Sequence, residues 1–167
     1  MISFSTNRLD IREVHVDAPQ SELTELIACT PNILTQSVVE NLPPNFHGIQ
    51  STEAARVWLD RMLSESRLLQ IRFKDGGLIG FLFIHEGDSY EAHIGYLLAE
   101  EHWGIGLASE LLPGFLDVVS SHSKWRKIVG GVDHANKASA HVLLKLGFTE
   151  RSSDVPNVSF YEYDLHR

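Results

Sequence analysis

An α/β fold with a mixed sheet covered by helices on both faces is what this sequence predicts, and three observations carry it. Segments of two-residue and 3.6-residue apolar period follow one another in the order strand, two helices, three strands, helix, strand, helix, strand. The three strand-like segments in mid-chain are separated only by turn signals, which reads as an antiparallel meander. The 167 residues, with 43% hydrophobic side chains, suffice for one core, and no Pro/Gly/Ser-rich linker or block of like charge marks a boundary, so residues 1–167 are expected to form a single domain.

The first strand is read over Arg8 to Val14, where Leu9 and Ile11 alternate with polar neighbours. Asp17-Ala18-Pro19 offers an N-cap with proline near the first helical position, and Leu23, Leu26 and Ile27 share a face of a helix that runs to about Cys29. Thr30 to Gln50, with Pro31, Pro43 and Pro44, is the least regular part, with a short helix expected within Leu34 to Asn41. Ser51 opens a second long helix, in which Ala55, Val57, Trp58, Met62 and Leu63 recur at helical spacing to about Ser66. The period then changes. Leu68 to Phe73, Leu78 to His85 and Glu91 to Leu98 read as strands joined by turns at Asp75-Gly76-Gly77 and Gly87-Asp88-Ser89. That second turn would set His85 roughly opposite Glu91. Ile105 to about Ser120 is helical, with Leu107, Leu111, Leu112, Phe115 and Val119 as its stripe and a bend or interruption expected at Pro113-Gly114. Lys127 to Asp133 is a strand, Lys137 to Leu146 a helix closed by Gly147, and Val158 to Leu165 the last strand.

Composition narrows the function classes. With 22 acidic against 14 basic side chains, a net charge of −8 disfavours a nucleic-acid partner, because affinity there comes from neutralising phosphates. The apolar runs are too short to span a bilayer and the first residues lack a signal-peptide layout, so no membrane partner and a cytoplasmic location are expected. The single cysteine, Cys29, excludes an intrachain disulfide and a cysteine-rich zinc module. No two of the nine histidines stand at H-x-H or H-x-x-x-H spacing, so no metal is expected.

The chemistry concentrates after the third meander strand, where Glu100-Glu101-His102-Trp103-Gly104-Ile105-Gly106-Leu107-Ala108 leads into a helix. The first N–H groups of a helix have no internal partner and sit at the positive end of its dipole, so they attract phosphate. Glycine at 104 and 106 lets backbone approach a ligand closely. A helix that simply begins after a tight turn is the alternative reading. Two nucleotide-binding patterns fail on spacing: Ser109 replaces the third glycine of G-x-G-x-x-G, and no G-K-[ST] follows.

At this turn the sequence resembles the GNAT superfamily of acetyltransferases, whose signature is [Q/R]-x-x-G-x-[G/A] at a strand-to-helix junction. Gly106 falls on its first glycine and Ala108 on its last small residue, while Trp103 stands where Gln or Arg is usual. Trp-Gly-x-Gly-x-Ala preceded by Ile94-Gly95-Tyr96 is similar to the branch that acetylates ribosomal-protein N-termini, and Asn136-x-x-Ser139 with Lys145-Leu146-Gly147-Phe148 matches that branch's second stretch. The resemblance implies a GNAT-type, mostly antiparallel central sheet of about six or seven strands. It also implies acetyl-CoA as cosubstrate, held by Trp103, Gly104, Ile105, Gly106, Leu107 and Ala108, by a backbone N–H of Leu97 or Leu98, and by Asn136.

Acetyl transfer to an amine needs a held thioester, a base for the ammonium, a place for oxyanion charge and a proton for the leaving thiolate. The resemblance puts Ser139 at the thiolate, although a serine in a first helical turn also satisfies local backbone donors. Asn136 is equally what a helix N-cap requires. The tyrosine that many relatives use as acid is replaced by Leu143. His93 is the candidate base, with pairing to Glu91 as the structural alternative, and Asp133 and His134 border the same expected cleft. The expected activity is transfer of acetyl to a primary amine, a protein or peptide N-terminus, by direct attack in a ternary complex. The alternatives are a small amine such as an amino-sugar antibiotic or polyamine, or a non-catalytic acyl-CoA sensor. A homodimer is compatible with the resemblance.

Overall fold

The computed structural model describes residues 1–87 and 90–165. β1 (Ser3–Ser5) and β2 (Leu9–Glu13) precede α1 (Gln20–Ile33), a short α2 (Gln36–Val39), a 3-10 turn at Pro44–Phe46 and α3 (Thr52–Glu65). β3 (Arg67–Phe73), β4 (Leu78–Glu86) and β5 (Glu91–Leu98) follow, then α4 (Leu107–His122), β6 (Lys127–Asp133), α5 (Lys137–Lys145), β7 (Thr149–Arg151) and β8 (Val158–Asp164). The strands form one sheet in the order β1-β2-β3-β4-β5-β6-β8-β7. Its neighbours are antiparallel except for β5 and β6, which run parallel.

Alternation along the strands feeds two cores. One face sends Ile11, Leu69, Ile71, Leu82 and Ile84 against Leu111, Leu112 and Phe115 of α4 and Leu143 of α5. The other sends Leu68, Phe81, Phe83 and Leu97 against Leu26 and Ile27 of α1 and Trp58, Leu59 and Met62 of α3. Helices therefore cover both faces, and each fully buried aliphatic or aromatic side chain contributes about 1.5–3 kcal/mol. Local signals place the helix ends. The Ser51 hydroxyl accepts from Ala54 N–H to cap α3. Gly147, at φ +104°, closes α5 with two bonds, from its own N–H to Leu144 O and from Phe148 N–H to Leu143 O.

Several expectations change. α1 passes Cys29 and Pro31 to end at Ile33, and its N-cap is Pro19 rather than Asp17. Pro31 leaves the Ile27 carbonyl without its helical donor, but Leu34 N–H restores the ladder to Thr30 O, and Thr30 and Ile33 are buried against the core. α4 runs unbroken through Pro113-Gly114. Gly114 is there for space, since a Cβ would sit 3.0 Å from the Phe4 ring, where β1 crosses α4. Val57 points outward, 61% exposed. β1 and β7 bring the sheet to eight strands; each is three residues long, too short for periodicity to reveal. Asp88 and Ser89 of the second expected turn lie outside the described residues. The β4–β5 register sets His85 opposite His93, not Glu91, because Gly87 N–H bonds Glu91 O and the loop lies between those two residues.

Candidate active site

The parallel pairing of β5 with β6 ends at Ile94↔Gly130, although β5 continues to Leu98 and β6 to Asp133. Over that length β6 is paired on its other side by β8, so a gap opens in the sheet between the two strands. Backbone direction follows from two bonds at the ends of β5. Gly87 N–H donates to Glu91 O and Ala99 N–H to Ile79 O, so odd-numbered residues address β4 and the N–H and C=O of Tyr96 and Leu98 address the gap. Of the two leucines expected to offer an N–H, only Leu98 faces the opening; alternation turns the Leu97 N–H to β4. Trp103 closes part of this edge by donating its indole N–H to Leu98 O at 2.8 Å, and its ring stays 49% exposed beside the turn.

At the end of the gap lies the glycine turn. Gly104 and Gly106 have φ of +76° and +82°, a region that side-chain-bearing residues rarely adopt. Gly106 is the N-cap of α4 with no side chain capping it, and the first helical bond is Glu110 N–H to Gly106 O. The N–H groups of Leu107, Ala108 and Ser109 thus precede the helical ladder, an arrangement that suits phosphate. The turn is clamped from behind. Glu110 accepts from the Thr6 hydroxyl, from Arg8 N–H at 2.7 Å and from Arg8 Nε at 2.7 Å, while Arg8 Nη1 holds Ile105 O at 2.9 Å. Burial pushes the Glu110 carboxyl up, but these bonds outweigh it and hold it below the usual carboxylate range.

The turn and the gap share a cavity of about 740 Å³, lined by Leu97, Leu98, Trp103, Gly104, Gly106, Leu107 and Ala108 together with Asn136, Lys137 and Ser139. Of the residues expected at the coenzyme, Ile105 is absent from this lining; its carbonyl is turned to Arg8. The Leu107 side chain is buried in the core, which leaves its backbone to face the cavity. Asn136 Oδ1 accepts from Ser139 N–H at 3.2 Å, so it does cap α5, at the place where it also borders the cavity.

A residue that pattern reading missed completes this end. The Tyr96 hydroxyl lies 2.9 Å from Ser139 Oγ across the gap. Burial pushes the phenol up and the serine contact only partly offsets that, so Tyr96 is protonated at neutral pH. The sequence marked it only as part of the Ile94-Gly95-Tyr96 stretch, and its even-numbered place on β5 carries meaning once the gap is known.

A second cavity of about 420 Å³ opens on the α3 side of the same gap. Its floor is His93, Gly95 and Leu97 of β5 with Gly131 and Asp133 of β6, and its walls are the Asn41–Phe46 segment, the end of α3 and Phe160 of β8. His93 lines it, with Nε2 3.5 Å from Glu91 Oε1, and Arg151 Nη1 ties Glu91 (3.3 Å) to Glu162 (3.2 Å). Tyr96 is three residues further along β5, about 10 Å at ~3.3 Å per residue, so His93 and Ser139 are not in direct contact. Asp133 joins this lining and His134 does not. Among the described residues no group of three or more His, Cys, Asp or Glu is placed to hold a metal ion, and no helix is long and apolar enough to cross a membrane.

Comparison with known proteins agrees with this geometry. A family model described as an acetyltransferase (GNAT) domain matches residues 8–149. The chain superposes on the GNAT-family acetyltransferase of Bacillus anthracis with a TM-score of 0.76 at 17% identity, covering 98% of this chain and 97% of that one. It superposes on RimL, the ribosomal L7/L12 alpha-N-protein acetyltransferase solved with coenzyme A, with a TM-score of 0.75 at 18% identity over 95% of each chain. A curated relative, the uncharacterized protein YkkB of Bacillus subtilis (strain 168), is 39% identical over 54 residues, 32% of this chain and 31% of that protein.

Proposed function

The chain belongs to the GNAT acetyltransferase domain family, and from that premise we propose that it moves the acetyl group of acetyl-CoA directly to a primary amine, a protein or peptide N-terminus, within one domain spanning residues 1–167. The observation that carries this reading is the unpaired end of β5, which joins the phosphate-suited turn to the second cavity through one opening in the sheet. The preference for an N-terminus rests on the likeness of the Ile94-Gly95-Tyr96 and Trp103 to Ala108 stretches to the N-terminal branch.

The residues present fit the coenzyme. The helix N-terminus at Leu107, Ala108 and Ser109 suits its pyrophosphate, Lys137 adds a cation to the lining, and the backbone groups of Tyr96 and Leu98 that Trp103 leaves open suit an amide-bearing arm. Bound acetyl-CoA supplies the acyl group as a thioester, activated for attack by nitrogen. His93 takes the ammonium proton through intervening water and is oriented by Glu91. The Tyr96 N–H, aimed into the gap, donates to the oxyanion charge as the C–N bond forms. Ser139 gives its hydroxyl proton to the departing thiolate as the C–S bond breaks, Tyr96 replaces that proton across their 2.9 Å contact, and the proton that nitrogen sheds on becoming an amide returns to Tyr96 through solvent.

Free-thiol release measured with acetyl-CoA and a panel of peptides and amines tests the reading. Turnover by the wild type is expected, with Ser139→Ala and His93→Ala each lowering kcat. Absence of turnover on every acceptor overturns it.

A further inference from the structure

We propose that the second cavity selects a monoamine whose neighbouring group is apolar and aromatic, seated against Phe160 and Phe46 beside the glycine floor. This rests on the acetyl-transfer reading and adds the chemical class of the acceptor. Three sets of observations lead to it.

The floor of the cavity is bare backbone at its centre. Gly95 of β5 and Gly131 of β6 both present their missing side chains to it, and Gly131 is exposed although it lies in mid-strand. β8 pairs Phe160 with Gly131, and the Phe160 ring leans over the glycine so closely that a Cβ there would meet it at 3.0 Å. On the opposite wall Phe46 is held edge-on to Phe83 at 5.6 Å and to Trp58 at 5.8 Å, with Phe83 also lining the cavity. The cavity therefore has aromatic walls and a backbone floor. An aromatic group packs against these walls and desolvates both rings.

The charges around it are few and mostly matched. Arg61 bonds Glu65 at 3.0 Å, His85 Nδ1 contacts the Glu65 carbonyl at 3.2 Å, and His93 faces Glu91. Among the described lining residues this leaves Asp133 as the carboxylate without a cation, its Oδ1 accepting only Ala135 N–H. One unmatched carboxylate suits one ammonium. A polyamine or amino sugar would bring further cations into a cavity walled by phenylalanine, where burying an unpaired charge is costly.

The placement also fits the reaction. Asp133 lies two residues past Gly131 on the same face of β6 and next to the Asn136–Ser139 end of the gap, so a group seated against Phe160 with its ammonium at Asp133 presents nitrogen to the opening beside Tyr96.

The test measures kcat/KM by thiol release for 2-phenylethylamine, ethylamine and spermidine, and for three tripeptides differing only in a first residue that is phenylalanine, lysine or aspartate. The aromatic acceptor of each set is expected to exceed its partners by about tenfold or more, the discrimination that an apolar pocket achieves. Phe160→Ala and, independently, Gly131→Ala should each collapse that ratio severalfold while thermal stabilisation by acetyl-CoA is retained, which also shows that the variants fold. Equal or better use of spermidine or the lysine peptide overturns the assignment of the slot and leaves acetyl transfer standing, as does a ratio unchanged in both variants. Thiol release with none of the acceptors overturns the acetyl-transfer reading and this one with it.

Discussion

In the proposed reaction Tyr96 stands behind Ser139 as proton donor, and its phenol keeps its proton because burial disfavours the anion. Tyr96→Phe removes the hydroxyl and retains the ring. If the proton passes through Ser139, kcat should fall by about ten- to a hundredfold, at the low end of general-acid contributions. The KM for acetyl-CoA should hardly move, and Tyr96→Phe combined with Ser139→Ala should cost little more than either alone. Additive losses would place the two hydroxyls in separate roles. Gly106 makes the complementary case for backbone. Its φ of +82° is strained for alanine, so Gly106→Ala should tilt the α4 N-terminus and weaken acetyl-CoA binding about five- to tenfold, on the order of 1–1.4 kcal/mol, read by calorimetric titration. Gly106 was legible in the sequence, because a glycine just ahead of a helix marks a backbone turn that a side chain would oppose. Tyr96 was not, because a tyrosine in a strand is first a packing residue, and only the end of the β5–β6 pairing turns it into a donor beside Ser139.

α4 carries the turn to which the coenzyme is assigned in the proposed reading, and it is held by residues at the turn into β2. Thr6 and Arg8, at the turn into β2, converge on Glu110, and Arg8 continues to the Ile105 carbonyl. Nothing in the local pattern of residues 6–9 announces that contact, which joins positions about a hundred residues apart. Arg8→Ala leaves the glycines intact but frees the loop they bend, so KM for acetyl-CoA should rise about threefold to tenfold with kcat near wild type. Arg8→Lys should restore little, because an ammonium cannot bond Glu110 and Ile105 in one fork. A change confined to kcat would show that the clamp positions something other than the turn. The same distance rule accounts for the unbroken course of α4. Pro113-Gly114 looks like a break from the sequence, yet its cost is offset by burial of Leu111, Leu112 and Phe115, and Gly114 is needed because Phe4 and Thr6 pass there.

In the whole molecule, three carboxylates tie distant parts of the sheet and helices together. Glu13 bonds Arg67, Glu110 bonds Arg8, and Glu162 bonds Arg151 and Lys127. Burial pushes each one up, but their hydrogen bonds and cationic neighbours outweigh it and leave all three below the ordinary value of 4.5. A depressed folded-state value stabilises the protein above 4.5, and that contribution is lost as pH falls through the lowered values. The melting temperature should therefore hold near neutrality and drop below about pH 4.5, and Glu13→Gln should flatten part of that acid limb. An unchanged limb in the variant would remove Glu13 from the account. The sequence by itself determined the succession of the longer elements, the two-faced sheet and the glycine turn ahead of α4, because period and glycine spacing are local and a helix N-terminus carries its chemistry wherever it sits. Tertiary structure alone decided the rest. Where β5 parts from β6, which of its N–H groups face the gap, that Tyr96 meets Ser139, and that Phe160 overhangs Gly131 all depend on register between strands remote in the chain. Register is set by which faces can be buried together, and no single segment contains that information.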